Sequence, residues 1–343
     1  MPTTIAPAYP PYGLLNEDLM GAIAAYPFPE GFTPPAGKTP LQAWREVYDA
    51  LVDQFALTLW PRWRSSGSGA PTWDGAAASA MHALTVADFA VMDSLGTAQV
   101  IDQPVEQRAP GGPPLATPAT HRYFFRIEDD SGLPVPVMDY LPMSDRLALD
   151  REGAAAGLKS FRQRAEHWMV AHCTAATLPS KLEIQRPRPY QIASLLGRPH
   201  PHLFAEGAVT SALPSGHAIQ GLQGICAAYL EYMRLPSMTS AARTRVQQYA
   251  VDMGDRRVMA GVHYPSDNLA SWCMALFLCD VLYGPHAAHG RTFLVEAIIQ
   301  HSLVYHAIVA SADPAYGTAL AWFRKLAGIR GADESVAQAT AKM

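Results

Sequence analysis

From Ser144 onward the chain reads as one helical pattern after another, with connections too short to hold much else. Apolar residues recur at helical spacing over 158–176, 181–196, 217–233, 241–260, 265–283, 292–301 and 318–326. Sequential helices with short links must bury their apolar stripes against each other, so the fold class predicted is all-α, a helical bundle. Residues 141–343 are expected to form this helical core, which carries the chemistry.

Residues 1–140 read differently. Positions 1–38 hold Pro7, Pro10, Pro11, Pro34 and Pro35 and predict an irregular arm. Helices are expected over 42–60, opened by Thr39-Pro40, and over the Ala-rich stretch 73–100. Gly111-Gly112-Pro113-Pro114 breaks the pattern. Segments 122–127 and 135–140 flank Asp130-Ser131-Gly132 and predict a small β-hairpin. Pro134 and Pro136 confine its second arm to a sheet edge. The 1–140 region is expected to pack on the core as one unit with it.

A formal charge of −4 over 343 residues offers no basic face for nucleic acid. No run reaches the roughly 18 apolar residues of a membrane span; the most apolar segment, 269–278, is closed by Asp267 and Asp280 and reads as a buried helix. Cys173, Cys226, Cys273 and Cys279 fall in helical runs without a CxxC pair, which speaks for free thiols. The Pro-rich start lacks the look of a secretory signal. A soluble, cytoplasmic protein is expected, and Trp322 and Phe323 on the C-terminal helices are candidates for pairing chains into a homo-oligomer.

Three sparse patterns carry the chemistry. Lys181 is followed by Arg188-Pro189, and Arg257 by His263 and Asp267; between them stands Pro214-Ser215-Gly216-His217. Phosphoryl transfer spreads charge over three equatorial oxygens, and fixed cations aimed at those oxygens do most of the work. Lys181 and Arg188, two helical turns apart, are expected to share a face, with Arg257 closing the third side. Arg186 is assigned a supporting or surface place. Ser215 is suited to cap the following helix, whose free N–H groups bind anions, and Gly216 lets the backbone approach closely. His217 is then placed to protonate a leaving oxygen. His263 is suited to attack phosphorus if Asp267 holds its far ring nitrogen. Taken singly, each pattern has a plain structural reading: a solvated helix face, a capped helix, a core histidine. Their co-occurrence within about ninety residues outweighs those readings.

The arrangement resembles the type 2 phosphatidic acid phosphatase/vanadium haloperoxidase superfamily over Lys181 to about Tyr283. The resemblance implies an all-α bundle with the site among helix ends. It implies that Lys181, Arg188, Ser215, Gly216 and Arg257 hold the oxyanion and that His217 is the general acid/base. His263 would be the nucleophile or, with vanadate as cofactor, its ligand, and Asp267 would orient His263. The superfamily usually has serine before the last arginine, where this chain has Arg256-Arg257; spacing favours Arg257.

Within the superfamily, the run from Lys181 to Tyr190 and the short intervals to His217 and Arg257 are most similar to soluble bacterial class A acid phosphatases. Thr210 stands where many haloperoxidases carry an aromatic residue or histidine. The expected function is therefore a phosphomonoester hydrolase, or a phosphotransferase where an alcohol replaces water, that needs no metal and works through a phosphohistidine. The alternative is a haloperoxidase that uses vanadate and hydrogen peroxide. A phosphate-binding protein without turnover is a third class, disfavoured by the His263–Asp267 couple. Pro199-His200-Pro201-His202, His286 and His289 read as exposed loop residues. Tyr190 and Phe204 are candidates for an apolar substrate wall.

Overall fold

The computed structural model describes residues 36–38, 46, 75–95, 141–168, 181, 186–195, 211–259 and 261–329. Ten α-helices lie among them: α1 (Gly75–Ser94), α2 (Met143–Ala155), α3 (Phe161–Trp168), α4 (Pro189–Leu195), α5 (Gly216–Tyr232), α6 (Ser240–Met259), α7 (Pro265–Leu282), α8 (Ala287–His301), α9 (Leu303–Ser311) and α10 (Gly317–Leu326). Short 3-10 turns at Gly284–His286 and Pro314–Tyr316 link the last of them. The described residues contain no strand, and the fold is all-α as expected. The predicted hairpin and the helix over 42–60 lie outside the described residues, apart from Glu46.

Helix α7 is apolar around most of its circumference, which suits only a central position. Leu269, Ala270, Trp272, Met274, Ala275, Leu276 and Leu278 are all buried, and α5, α8, α9, α10 and α1 pack around it. Helix α5 lies closest against α6. Gly221 permits that approach: a Cβ there would meet the Ala250 carbonyl oxygen at 2.4 Å and Met253 Cβ at 2.8 Å.

The helix over 292–301 begins five residues early, at Ala287, so His289 is helical while staying exposed, and His286 lies in the 3-10 turn. Helix α9 was not expected; Ser302 caps it, accepting a hydrogen bond from Tyr305 N at 3.0 Å. Phe323, taken as an exposed contact, is buried against Trp272 and Tyr305. The short amphipathic α10 turns that ring inward because α7 offers an aromatic face, leaving Trp322 half-buried. Cys226, Cys273 and Cys279 are buried free thiols.

Among the described residues no single helix is long and apolar enough to cross a membrane. One bent pair, Gly284–His301 with Leu303–Ser311, passes by length and composition, and it breaks by 67° at Ser302.

That corner is held from α6. The Ser302 hydroxyl donates to the Asp255 carboxylate, whose two oxygens lie 2.9 Å away, and Val304 N reaches it at 3.3 Å. Burial, and then the charge of Asp252, push the Asp255 carboxyl up to about 8. Between the ordinary carboxylate range near pH 4 and pH 8 the folded state therefore holds a proton that the unfolded chain has released. Stability must fall as pH rises through that window, by on the order of 1 kcal/mol per unit for one such group. Melting temperatures measured from pH 5 to 8 should decline more steeply for the wild type than for Asp255→Asn. Parallel slopes would contradict this.

Candidate active site

Arg186, Pro187 and Arg188 are not helical, against the continuous helix expected over 181–196. Each proline pushes the residue before it toward extended backbone, so both arginines leave the α region. In an extended segment alternate side chains share a side, which sends Arg186 and Arg188 the same way. Helix α4 restarts at Pro189, in the first-turn position proline favours. Gln191 Oε1 accepts from Arg188 N at 2.7 Å and caps the start.

Arg188 lies against the His263 segment: Nη1 donates to the Val262 carbonyl at 2.6 Å and sits 3.0 Å from His263 Nε2. On its other side the imidazole meets Asp267, with Nδ1 3.2 Å from Oδ2. One proton arrangement satisfies both contacts. Nδ1 carries the hydrogen and donates to Asp267, while Nε2 keeps its lone pair and accepts from Arg188. His263 is only 2% exposed.

The chain delivers His263 there through the C-terminus of α6. Gly261 adopts φ +74°, in the left-handed region. Its N–H bonds the Val258 carbonyl at 2.9 Å, and Val262 N bonds the Arg257 carbonyl at 3.1 Å. This pair of bonds is a Schellman motif, and glycine adopts its turn without the steric cost other residues meet. His263 N also reaches the Arg257 carbonyl at 3.3 Å. Arg257 and Arg256 are both buried, and Arg256 lies 6.0 Å from the Tyr249 ring centroid.

Ser215 caps α5 as expected, accepting from Ala218 N at 3.4 Å. The start of α5 is stapled to α7: Ser271 Oγ lies 3.0 Å from the Ser215 carbonyl and 2.7 Å from that of Asp267. Gly216 and His217 begin α5 and are half-buried, directly after Ser215, whose backbone N lies 3.5 Å from the Asp267 carbonyl. Buried Lys181 donates from Nζ to the Ser211 carbonyl at 2.6 Å, which ties it to the loop before Ser215. Ser211 also accepts from Arg186 N at 2.8 Å. Hydrogen bonds thus link Lys181, Arg188, Ser215, His263 and Asp267 into one neighbourhood. Arg257 enters through its backbone, and Gly216 and His217 by chain adjacency. Thr210, His200, His202 and Phe204 lie outside the described residues. Tyr190 is half-buried on the first turn of α4.

Of the two places expected for Arg186, the supporting one holds and the surface one does not. Arg186 is 1% exposed, spans two carboxylates at 2.7 Å each, Asp267 Oδ1 and Asp88 Oδ2, and lies 3.8 Å over the Tyr264 ring. The two acidic partners raise its already high pKa against the cost of burial. Asp88, from α1, and Ser266 and Tyr316 complete this network; none had been singled out in the sequence. The Arg-Pro-Arg-Pro rhythm was a usable signal for Arg186. Nothing local marks Asp88, which meets Arg186 across 98 residues.

Among the described residues no group of three or more His, Cys, Asp or Glu side chains is arranged to hold a metal ion. Residues 167–289 match the family model of the PAP2 superfamily. This segment contains every candidate site residue named above. Comparison with curated proteins and with solved structures found no match. Members of the PAP2 superfamily are phosphatases or haloperoxidases, and phosphoester hydrolysis is the activity it implies in general.

Proposed function

We propose that the protein is a phosphomonoester hydrolase of the acid phosphatase type that works through a phosphohistidine on His263. The observation that carries this reading is the imidazole clamped between Asp267 at Nδ1 and Arg188 at Nε2. A carboxylate on the far nitrogen fixes the tautomer and raises the nucleophilicity of the near one. A guanidinium beside the attacking atom is where a phosphoryl oxygen needs a donor. An arriving phosphoryl oxygen takes over the Arg188 proton, and the Nε2 lone pair is left to attack phosphorus.

In that attack the P–N bond forms as the ester P–O bond breaks, and His217 gives its proton to the departing alkoxide. Water, losing a proton to His217, then attacks the phosphohistidine and releases inorganic phosphate and free His263. Lys181, Arg188 and Arg257 take the place a metal ion has in other phosphoryl-transfer sites. The N–H groups at Gly216 and His217 add a helix-start anion site.

Orthovanadate has the same tetrahedral oxyanion chemistry. Lys181, Arg188, Ser215, Gly216 and Arg257 would hold it with His263 as its nitrogen ligand. When bound it supplies halide oxidation by hydrogen peroxide.

A side-by-side assay of one preparation tests the reading. Phosphate release from an aryl phosphomonoester should exceed peroxide-dependent bromination after loading with orthovanadate. Bromination without any ester turnover would overturn it.

A further inference from the structure

We infer that Asp88 is a positioning residue for His263, acting through Arg186 and Asp267 although it touches neither the imidazole nor a substrate. The inference rests on the phosphohistidine reading and extends it to a helix outside the matched segment 167–289.

Asp88 is fully buried. Its Oδ1 accepts from Ser266 N at 2.9 Å and Tyr316 OH at 2.8 Å; its Oδ2 accepts from Arg186 Nη2 at 2.7 Å and Ser266 Oγ at 2.5 Å. Arg186 Nη1 donates to Ser266 Oγ and to Asp267 Oδ1, both at 2.7 Å. The other oxygen of Asp267 accepts from Tyr264 N at 2.8 Å and faces His263 Nδ1. Every link is a donor meeting an acceptor, and the chain runs unbroken from α1 to the ring.

Charge gives the network its purpose. Arg186 alone would cancel Asp267, and the imidazole would face a neutral pair. With Asp88 ionised, Asp88, Arg186 and Asp267 sum to −1. That charge is available when the ring becomes positive on bonding phosphorus. Burial raises the Asp88 carboxyl, with Arg186 and Ser266 pulling it down. All four of its hydrogen-bond partners are donors, which favours the ionised form. Geometry works the same way. Arg186 fixes one oxygen of Asp267, so the other is aimed at Nδ1, and Asp88 fixes Arg186. Among the described residues, the charged groups near His263 include Arg188 and Asp267 in direct contact, with Arg186 and Asp88 behind them.

A merely structural Asp88, capping α7 through Ser266 N, makes a different prediction. Asp88→Asn removes the charge and turns an amide toward Arg186 while keeping an acceptor for Ser266 N. Outer partners of metal-bound histidines contribute about 10- to 100-fold, and a factor of that order is expected for this imidazole. Asp88→Asn should lower kcat on an aryl phosphomonoester by that factor, with the inhibition constant of inorganic phosphate unchanged, because the oxyanion donors are untouched. If Asp88→Asn does not fold, Ser266→Ala carries the test. It removes the hydroxyl bridging Arg186 and Asp88 and should give the same split with a smaller fall in kcat. Unchanged kcat in the folded variant, or phosphate binding that weakens in step with kcat, overturns the inference.

If the wild type turns over no phosphomonoester, the functional reading fails and the positioning inference is judged by nitrogen NMR of the His263 ring. The wild type should hold the Nδ1–H tautomer and the variant should lose that preference. Identical ring signals in both would overturn the inference by itself.

Discussion

His263→Ala is expected to abolish phosphomonoester turnover, by roughly 10³- to 10⁶-fold in kcat, the range seen when a covalent nucleophile is removed. Truncation takes away the atom that bonds phosphorus and leaves the cations in place. Affinity for inorganic phosphate should therefore change little while turnover vanishes. Alkaline quenching during steady-state turnover should trap a base-stable, acid-labile phosphoenzyme in the wild type and none in His263→Ala. His217→Ala should still form that species from an aryl ester with a good leaving group, since such a group departs without a proton, and should hydrolyse it slowly. If His263→Ala kept near-normal turnover, or if the label moved to His217, the assigned roles would be wrong.

Arg186→Met should cost about 3–5 kcal/mol of folding stability, the usual penalty when one member of a buried ion cluster is deleted. The guanidinium and both carboxylate side chains have no exposed surface. Removing the cation leaves Asp88 and Asp267 buried with their charges uncompensated. It also removes the stacking on Tyr264. The loss has a pH signature. The Asp88 carboxyl, already raised by burial, then loses the lowering charge of Arg186 and rises further, so the variant recovers stability as pH falls through that raised range. Urea midpoints at pH 5 and pH 8 measure this. A loss under about 1 kcal/mol, or one independent of pH, would show that the cluster contributes little net stability.

Much of the site was legible before the fold. Ser215 as a cap, the i,i+4 pairing of His263 with Asp267, and the start of α7 at Pro265 are local facts, set by backbone periodicity and terminal hydrogen bonding. The helices over 217–233, 241–260, 265–283 and 318–326 were placed to within a residue at each end because their apolar spacing is regular. Errors came where two local signals competed. Apolar spacing across 181–196 suggested one helix, and the prolines at 187 and 189 prevailed because each excludes helical backbone at the arginine before it. Phe323 looked exposed because an isolated helix does not show what it will meet.

The sequence by itself determined the helices, their caps and the residue types needed to grip an oxyanion, since these depend on neighbours a few positions away. Only the tertiary structure decided that Asp88 and Arg186 stand behind Asp267, and that α1 reaches the start of α7 through Ser266. A buried charge is tolerated only where its counter-charge arrives, and which distant segment supplies it depends on how the helices pack.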